Sequence, residues 1–158
     1  MTNDEIIATL NPTAASVARA FLGAHPDATL TSGKRSVQDQ ARAMAQNVAL
    51  NPNWIRQTYV VSGLSTAMQN HVQALEPGDR TQDNLQDGFT AIMLLATADE
   101  LRRLSFHLAG DAFDVAPDCD QAKLDTLGQL LATAVASGAT GKLLTREGGL
   151  RRIHLQVA

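Results

Sequence analysis

The chain has 158 residues, of which 44% are hydrophobic and 18% charged, a composition typical of one globular domain and unlike that of a disordered chain. Its formal net charge of -3 shows no basic excess, which argues against a dedicated nucleic-acid binder. The single cysteine, Cys119, excludes an intrachain disulfide framework and a cysteine-rich zinc site. The longest apolar stretch, 91–98, is too short for a membrane segment, and we expect no classical signal peptide at the N-terminus.

Capping residues and apolar spacing predict helices and short strands along the whole chain. Thr2 and Glu5 have the spacing of a capping box, Pro12 suits the first turn of a helix that Gly23 would end, and Ser36 suits an N-cap. In chain order we predict helices at 2–10, 12–23, 36–48, 66–75, 90–104 and 121–137, and strands at 28–31, 59–61, 112–115, 142–145 and 152–157. In the helix at 90–104, Leu95 is expected to point inward. These elements indicate an α+β fold in which helices pack on a small, mainly antiparallel sheet.

Three residues near the C-terminal strands form a candidate metal site. His107 and Asp114 are seven positions apart across Gly110, and His154 lies in an alternating strand with Gln156 on the same face. Two imidazoles and one carboxylate leave one position of a tetrahedral zinc site open, as catalytic zinc requires. The alternative is that His107 ends a helix and His154 is an exposed strand residue.

Three segments resemble the M15 family of zinc peptidases, which includes D-alanyl-D-alanine carboxypeptidases, VanY-like enzymes and phage L-alanyl-D-glutamate endolysins. Residues 105–115, SFHLAGDAFDV, resemble the family signature S-x-H-x-x-G-x-A-x-D, and 153–157, IHLQV, is similar to its C-terminal ligand strand. Residues 31–36, TSGKRS, resemble the S-G-x-R-S turn that precedes a helix in this family. The resemblance implies a DD-peptidase/hedgehog-like fold and one domain over 1–158, with an enlarged middle segment at about 48–104.

The resemblance also implies roles for individual residues. His107, Asp114 and His154 would bind Zn²⁺, and Arg35 would pair with a substrate carboxylate or a developing oxyanion. Ser36 and Gln156 are further candidates for substrate binding. The alternative for Arg35 is a surface ion pair.

One position departs from the family pattern. The family usually has an acidic residue three positions before the last histidine, as general base for the metal-bound water, and here that residue is Arg151. The nearest acid, Glu147, lies seven residues before His154, across Gly148 and Gly149. We expect Glu147 to serve as the catalytic base, the alternative being a solvated turn residue.

The leading hypothesis is a zinc-dependent peptidoglycan peptidase that cleaves a bond next to a D-amino acid in the stem peptide. Without a classical signal peptide, such an enzyme would reach the wall through a holin or in a phage-like particle. One alternative is a catalytically degenerate relative, serving as a structural or wall-binding component of such a particle beside phage tail proteins. Another is a secreted antibacterial effector that attacks the same substrate.

Overall fold

The computed structural model describes residues 1–147 and 150–158. In this part of the chain the α-helices are α1 (Asn3–Ala8), α2 (Pro12–Ala24), α3 (Val37–Leu50), α4 (Trp54–Thr58), α5 (Gly63–Ala74), α6 (Gln82–Leu94), α7 (Ala98–Leu104), α8 (Phe106–Ala109) and α9 (Gln121–Ala136). A short 3-10 helix spans Pro77–Asp79. The strands are β1 (Leu30–Ser32), β2 (Ala112–Val115), β3 (Gly141–Glu147) and β4 (Leu150–Val157). The fold is α+β with an antiparallel sheet, as the sequence predicts.

The chain divides into two compact units. The first comprises 1–34 and 109–158, and the second comprises 35–108. The first contains the sheet and the second is helical.

The sheet of the first unit has the strand order β1-β2-β4-β3, and each neighbouring pair is antiparallel. Phe113 and Leu155 are fully buried and belong to the same core cluster as Phe21 of α2 and Leu127 of α9. Side chains alternate between the two faces of a strand, so Asp114 and His154 belong to the other face. The sheet therefore packs one apolar face against the helices, and its opposite face contains the polar residues.

The second unit has its own apolar core. Met44 of α3, Met68 of α5 and Phe89 of α6 are fully buried there, and Trp54 and Ile55 of α4 pack in the same cluster. The N-cap of α3 is Ser36, whose hydroxyl accepts the backbone N–H of Asp39 at 3.1 Å, as the sequence predicts.

The single helix expected at 90–104 is wrong, because α6 ends at Leu94 and α7 begins at Ala98. Thr97 and Glu100 form a capping box that starts α7, and Leu95 is the C-cap of α6 and 90% exposed. The capping box satisfies the first backbone N–H groups of a new helix, so the chain turns there and Leu95 faces water.

Two smaller expectations also fail. Residues 59–61 form no strand, because Tyr59 is the C-cap of α4 and Ser62 is already the N-cap of α5. Gly23 does not end α2, which continues to Ala24 with His25 as its C-cap.

Candidate metal centre

The register of β2 against β4 brings Asp114 and His154 together. Their Cα atoms are direct partners across the antiparallel pair, so both side chains project from the same face of the sheet. His154 Nδ1 lies 2.9 Å from Asp114 Oδ1, which is hydrogen-bonding distance. The spacing of the two residues is therefore set by the backbone ladder.

His107 completes a group of three potential ligands. It lies in the short helix α8 and is 3% exposed, and its carbonyl oxygen accepts the backbone N–H of Arg35 at 3.0 Å. One ligand atom each from His107, Asp114 and His154 lies within 4.8 Å of the other two. The sequence predicts these three residues as a set, and the structure brings them close enough to bind a metal.

This donor set suits zinc. Zinc binds histidine nitrogen at about 2.0–2.1 Å and carboxylate oxygen at about 2.0–2.2 Å, and two histidines with one carboxylate are a known catalytic combination. Tetrahedral ligands at those bond lengths are roughly 3.4 Å apart, which is within the 4.8 Å limit that the three ligand atoms satisfy.

Two further side chains orient the potential ligands. Ser32 Oγ donates a hydrogen bond to Asp114 Oδ2 at 2.6 Å, and Gln156 Oε1 lies 3.4 Å from His154 Nε2. Such outer contacts fix the orientation of ligands in metal sites. Gln156, a predicted substrate-binding residue, therefore lies beside His154. Residue type and spacing gave Ser32 no such role, although it lies in the TSGKRS segment.

The turn that joins His107 to Asp114 depends on Gly110. Its φ is +84°, a region that residues with a Cβ rarely adopt. Asn11 holds this turn through its backbone N–H, which donates to the Gly110 carbonyl at 2.9 Å. The Asn11 side chain also donates to the Ala109 carbonyl at 3.0 Å and to Asp111 Oδ1 at 2.6 Å. No sequence signal pointed to Asn11.

Arg35 and Ser36 have contacts within the second unit. The Arg35 guanidinium donates to Gln40 Oε1 at 3.4 Å, and Gln40 donates in turn to the Tyr59 hydroxyl at 3.2 Å. These contacts restrict the Arg35 side chain. The Ser36 hydroxyl donates to Asp39 Oδ2 at 2.8 Å, so this residue caps α3 whatever else it does.

Glu147 is partly buried at the end of β3 and is the Cα partner of Leu150. Leu144, the cross-strand partner of His154, lies three residues before Glu147. Three residues span roughly 10 Å along a strand, so Glu147 is that far along β3 from the position opposite His154. Gly148 and Gly149, across which Glu147 is expected to fold back toward the metal, lie outside the described residues. The role of Glu147 as catalytic base stays a prediction.

Arg151, at the position where the M15 resemblance implies an acidic residue, is held by the loop after β2. Its Nε donates to the Pro117 carbonyl at 2.8 Å and its guanidinium also donates to the Cys119 carbonyl at 2.6 Å. A cation bonded to two carbonyls cannot accept a proton from water, so Arg151 does not replace the acid.

In comparisons with known proteins, no family model, no curated protein and no solved structure matches this chain. Among residues 1–147 and 150–158, none of the helices has the length and apolar character needed to cross a membrane.

Proposed function

We propose that the protein is a zinc-dependent peptidoglycan peptidase that cleaves a bond next to a D-amino acid in the stem peptide. The observation that carries the proposal is the group of His107, Asp114 and His154, whose ligand atoms lie within 4.8 Å of one another. The M15-like signature supports it, because the same three residues match the ligand positions of that family. A phage endolysin, or an enzyme carried in a phage-like particle, is the biological setting that we favour.

A zinc ion held by these residues would polarise the scissile carbonyl and lower the pKa of its bound water toward about 7. Ser32 keeps the Asp114 carboxylate oriented through a 2.6 Å hydrogen bond, and the ladder between β2 and β4 fixes Asp114 opposite His154. Arg35 offers a permanently charged, planar fork for a substrate carboxylate or the oxyanion. Glu147 is the residue that we propose as base for the attacking water, with Ser36 and Gln156 as contacts for the peptide.

Mass spectrometry of muropeptides tests the proposal. Purified peptidoglycan is incubated with zinc-loaded protein, and a parallel sample contains a chelator. New fragments that appear only with zinc are the expected result, and their masses identify the scissile bond. Intact peptidoglycan, from protein shown to be folded by circular dichroism, would overturn the peptidase assignment.

The base is tested separately with Glu147→Gln. Loss of a general base typically costs about 10²–10⁴-fold in rate, so turnover should fall by that factor. Glu76→Gln, which neutralises an exposed carboxylate before the 3-10 helix, is the matched control and should keep full activity. Full turnover by Glu147→Gln would refute Glu147 as base and leave the zinc site standing.

A second candidate is a non-catalytic relative that binds the cell wall as part of a phage-like particle. The specific observation in its favour is Arg151, which occupies the usual base position and is bonded to the carbonyls of Pro117 and Cys119. Retention of the protein on insoluble peptidoglycan, together with unchanged muropeptides, would favour this candidate.

A further inference from the structure

We infer that a cavity at the end of β2 and the start of β4 binds the free α-carboxylate of the D-Glu residue in the stem peptide, with Arg152 as its anion-binding residue. This inference rests on the proposed function, which makes the ligand a peptide. The cavity has a volume of about 320 Å³, and its lining includes Thr31, Asp114, Pro117, Arg151 and Arg152. That volume lies at the lower end of the range of about 300–1,000 Å³ found for small-molecule sites.

Asp114 places the cavity beside the candidate metal centre. This residue is both a potential metal ligand and part of the cavity lining. A ligand group in the cavity would therefore lie next to any group bound at the metal. A short peptide can satisfy both at once, with its scissile carbonyl at the metal and a charged group in the cavity.

Two arginines of β4 line this cavity beside an irregularity in the register of β3 and β4. Leu144 is paired with His154, whereas Arg146 is paired with Arg151, so β4 has one residue more than β3 between these pairs. Simple alternation would place Arg151 and Arg152 on opposite faces, yet both line the same cavity. Register irregularities of this kind often re-aim a side chain beside an active site.

The two arginines differ in their partners. Arg151 is bonded to the Pro117 and Cys119 carbonyls and so shapes the cavity wall. Arg152 is exposed and has no hydrogen bond or ion pair with any residue in 1–147 or 150–158. Its guanidinium is therefore available to a ligand, and its planar fork matches a carboxylate in two parallel hydrogen bonds.

The charge around the cavity is costly without an anionic partner. Arg151 and Arg152 bring two positive charges to the cavity lining, and Arg151 is bonded to two uncharged carbonyl groups. Asp114 is the one acidic residue in the cavity lining among the described residues, and a bound metal would offset its charge. A carboxylate from the substrate would balance the arginines.

The test uses two synthetic stem peptides, L-Ala-γ-D-Glu-L-Lys-D-Ala, that differ only in the α-carboxyl group of the D-Glu residue. One has the free acid and the other the primary amide. Binding of each to the full zinc-loaded chain is measured by calorimetry, and cleavage is followed separately by mass spectrometry. We expect the acid to bind about tenfold more tightly, the effect of one charge-assisted hydrogen bond.

Two variants locate the preference. Arg152→Gln should bind acid and amide equally. Arg146→Gln removes the same charge from the same hairpin but from outside the cavity lining, so it should keep the tenfold preference. Circular dichroism of both variants verifies their folding.

Each other outcome overturns a stated part. Equal binding of both peptides by the unmodified protein, or a preference that survives in Arg152→Gln, overturns the carboxylate site. If both peptides are cleaved but bind equally, the carboxylate site is overturned and the peptidase function stands. If the acid binds more tightly through Arg152 but neither peptide is cleaved, the peptidase function is overturned and the carboxylate site stands. Binding of neither peptide overturns both.

Discussion

Replacing Gly110 by alanine should destabilise the first unit, because this glycine forms the turn between His107 and Asp114. Its φ of +84° costs a residue with a Cβ about 1–2 kcal/mol. A Cβ there would also lie 3.2 Å from the Thr9 carbonyl oxygen and 3.4 Å from the Asn11 nitrogen, so the turn must shift slightly. Alanine also lowers the conformational entropy of the unfolded chain, and this stabilising effect of about 0.4–1 kcal/mol offsets part of the cost. We expect a net loss of about 1 kcal/mol in the free energy of unfolding.

Gly128→Ala is the matched control within the same unit. Gly128 lies inside α9, a methyl group added to its Cα would meet no atom within 4 Å, and its φ is not positive. Alanine in a helix interior is favoured over glycine by about 0.5–1 kcal/mol, so this variant should gain stability. Urea denaturation of both variants measures the difference, and zinc titration should show weaker binding for Gly110→Ala alone. Equal stability of the two variants would refute the reasoning.

Three further predictions concern other parts of the first unit. Ser32→Ala should weaken zinc binding by about 10-fold or more while leaving the circular dichroism spectrum unchanged, because Asp114 loses its outer hydrogen bond. Leu127→Ala should lower the free energy of unfolding by about 2–5 kcal/mol, since Leu127 is fully buried. Val135→Ala, at a position 46% exposed, is the control and should change the free energy of unfolding by less than about 0.5 kcal/mol. Similar urea midpoints for Leu127→Ala and Val135→Ala would contradict the assignment of Leu127 to the core. Burial raises the pKa of the Cys119 thiol, so a disulfide reagent at pH 8 should label it slowly until denaturant is added, and rapid labelling of folded protein would contradict this burial.

The sequence predicts the strands of the first unit well because two signals agree there. In 152–157, RIHLQV, polar and apolar residues alternate with the period of a strand, whereas in 112–115, AFDV, three apolar residues flank the polar Asp114. The turn residues lie outside both segments. The alternation assigns His154 to the polar face of β4, and Asp114 is the one polar residue of β2. Their direct pairing across the ladder then follows from the register of β2 and β4.

The helix at 90–104 is mispredicted because two signals compete there. Apolar residues continue through 91–98, but Thr97 and Glu100 form a capping box that begins a new helix. The local hydrogen bonds prevail, and Leu95 becomes exposed.

The surroundings of the candidate metal site lie beyond sequence reasoning. Ser32 and Asp114 are 82 positions apart, and Asn11 and Asp111 are 100 apart, so only tertiary structure reveals these contacts. The register shift beside Arg151 and Arg152, which line one cavity, has no signature in the alternation of β4. Residue types and spacing are enough to propose the metal ligands, but not the hydrogen bonds of Ser32 and Asn11 that orient them and hold the adjacent turn.

The most direct test of the metal centre is the zinc content of the purified chain after equilibration with zinc and removal of the excess. The unmodified protein should retain one zinc ion per chain, and Asp114→Asn should lose it. Asp118→Asn, which neutralises an exposed carboxylate four positions along the chain, should retain zinc as before. Absence of zinc from the unmodified protein, or equal retention by Asp114→Asn, would contradict the centre formed by His107, Asp114 and His154.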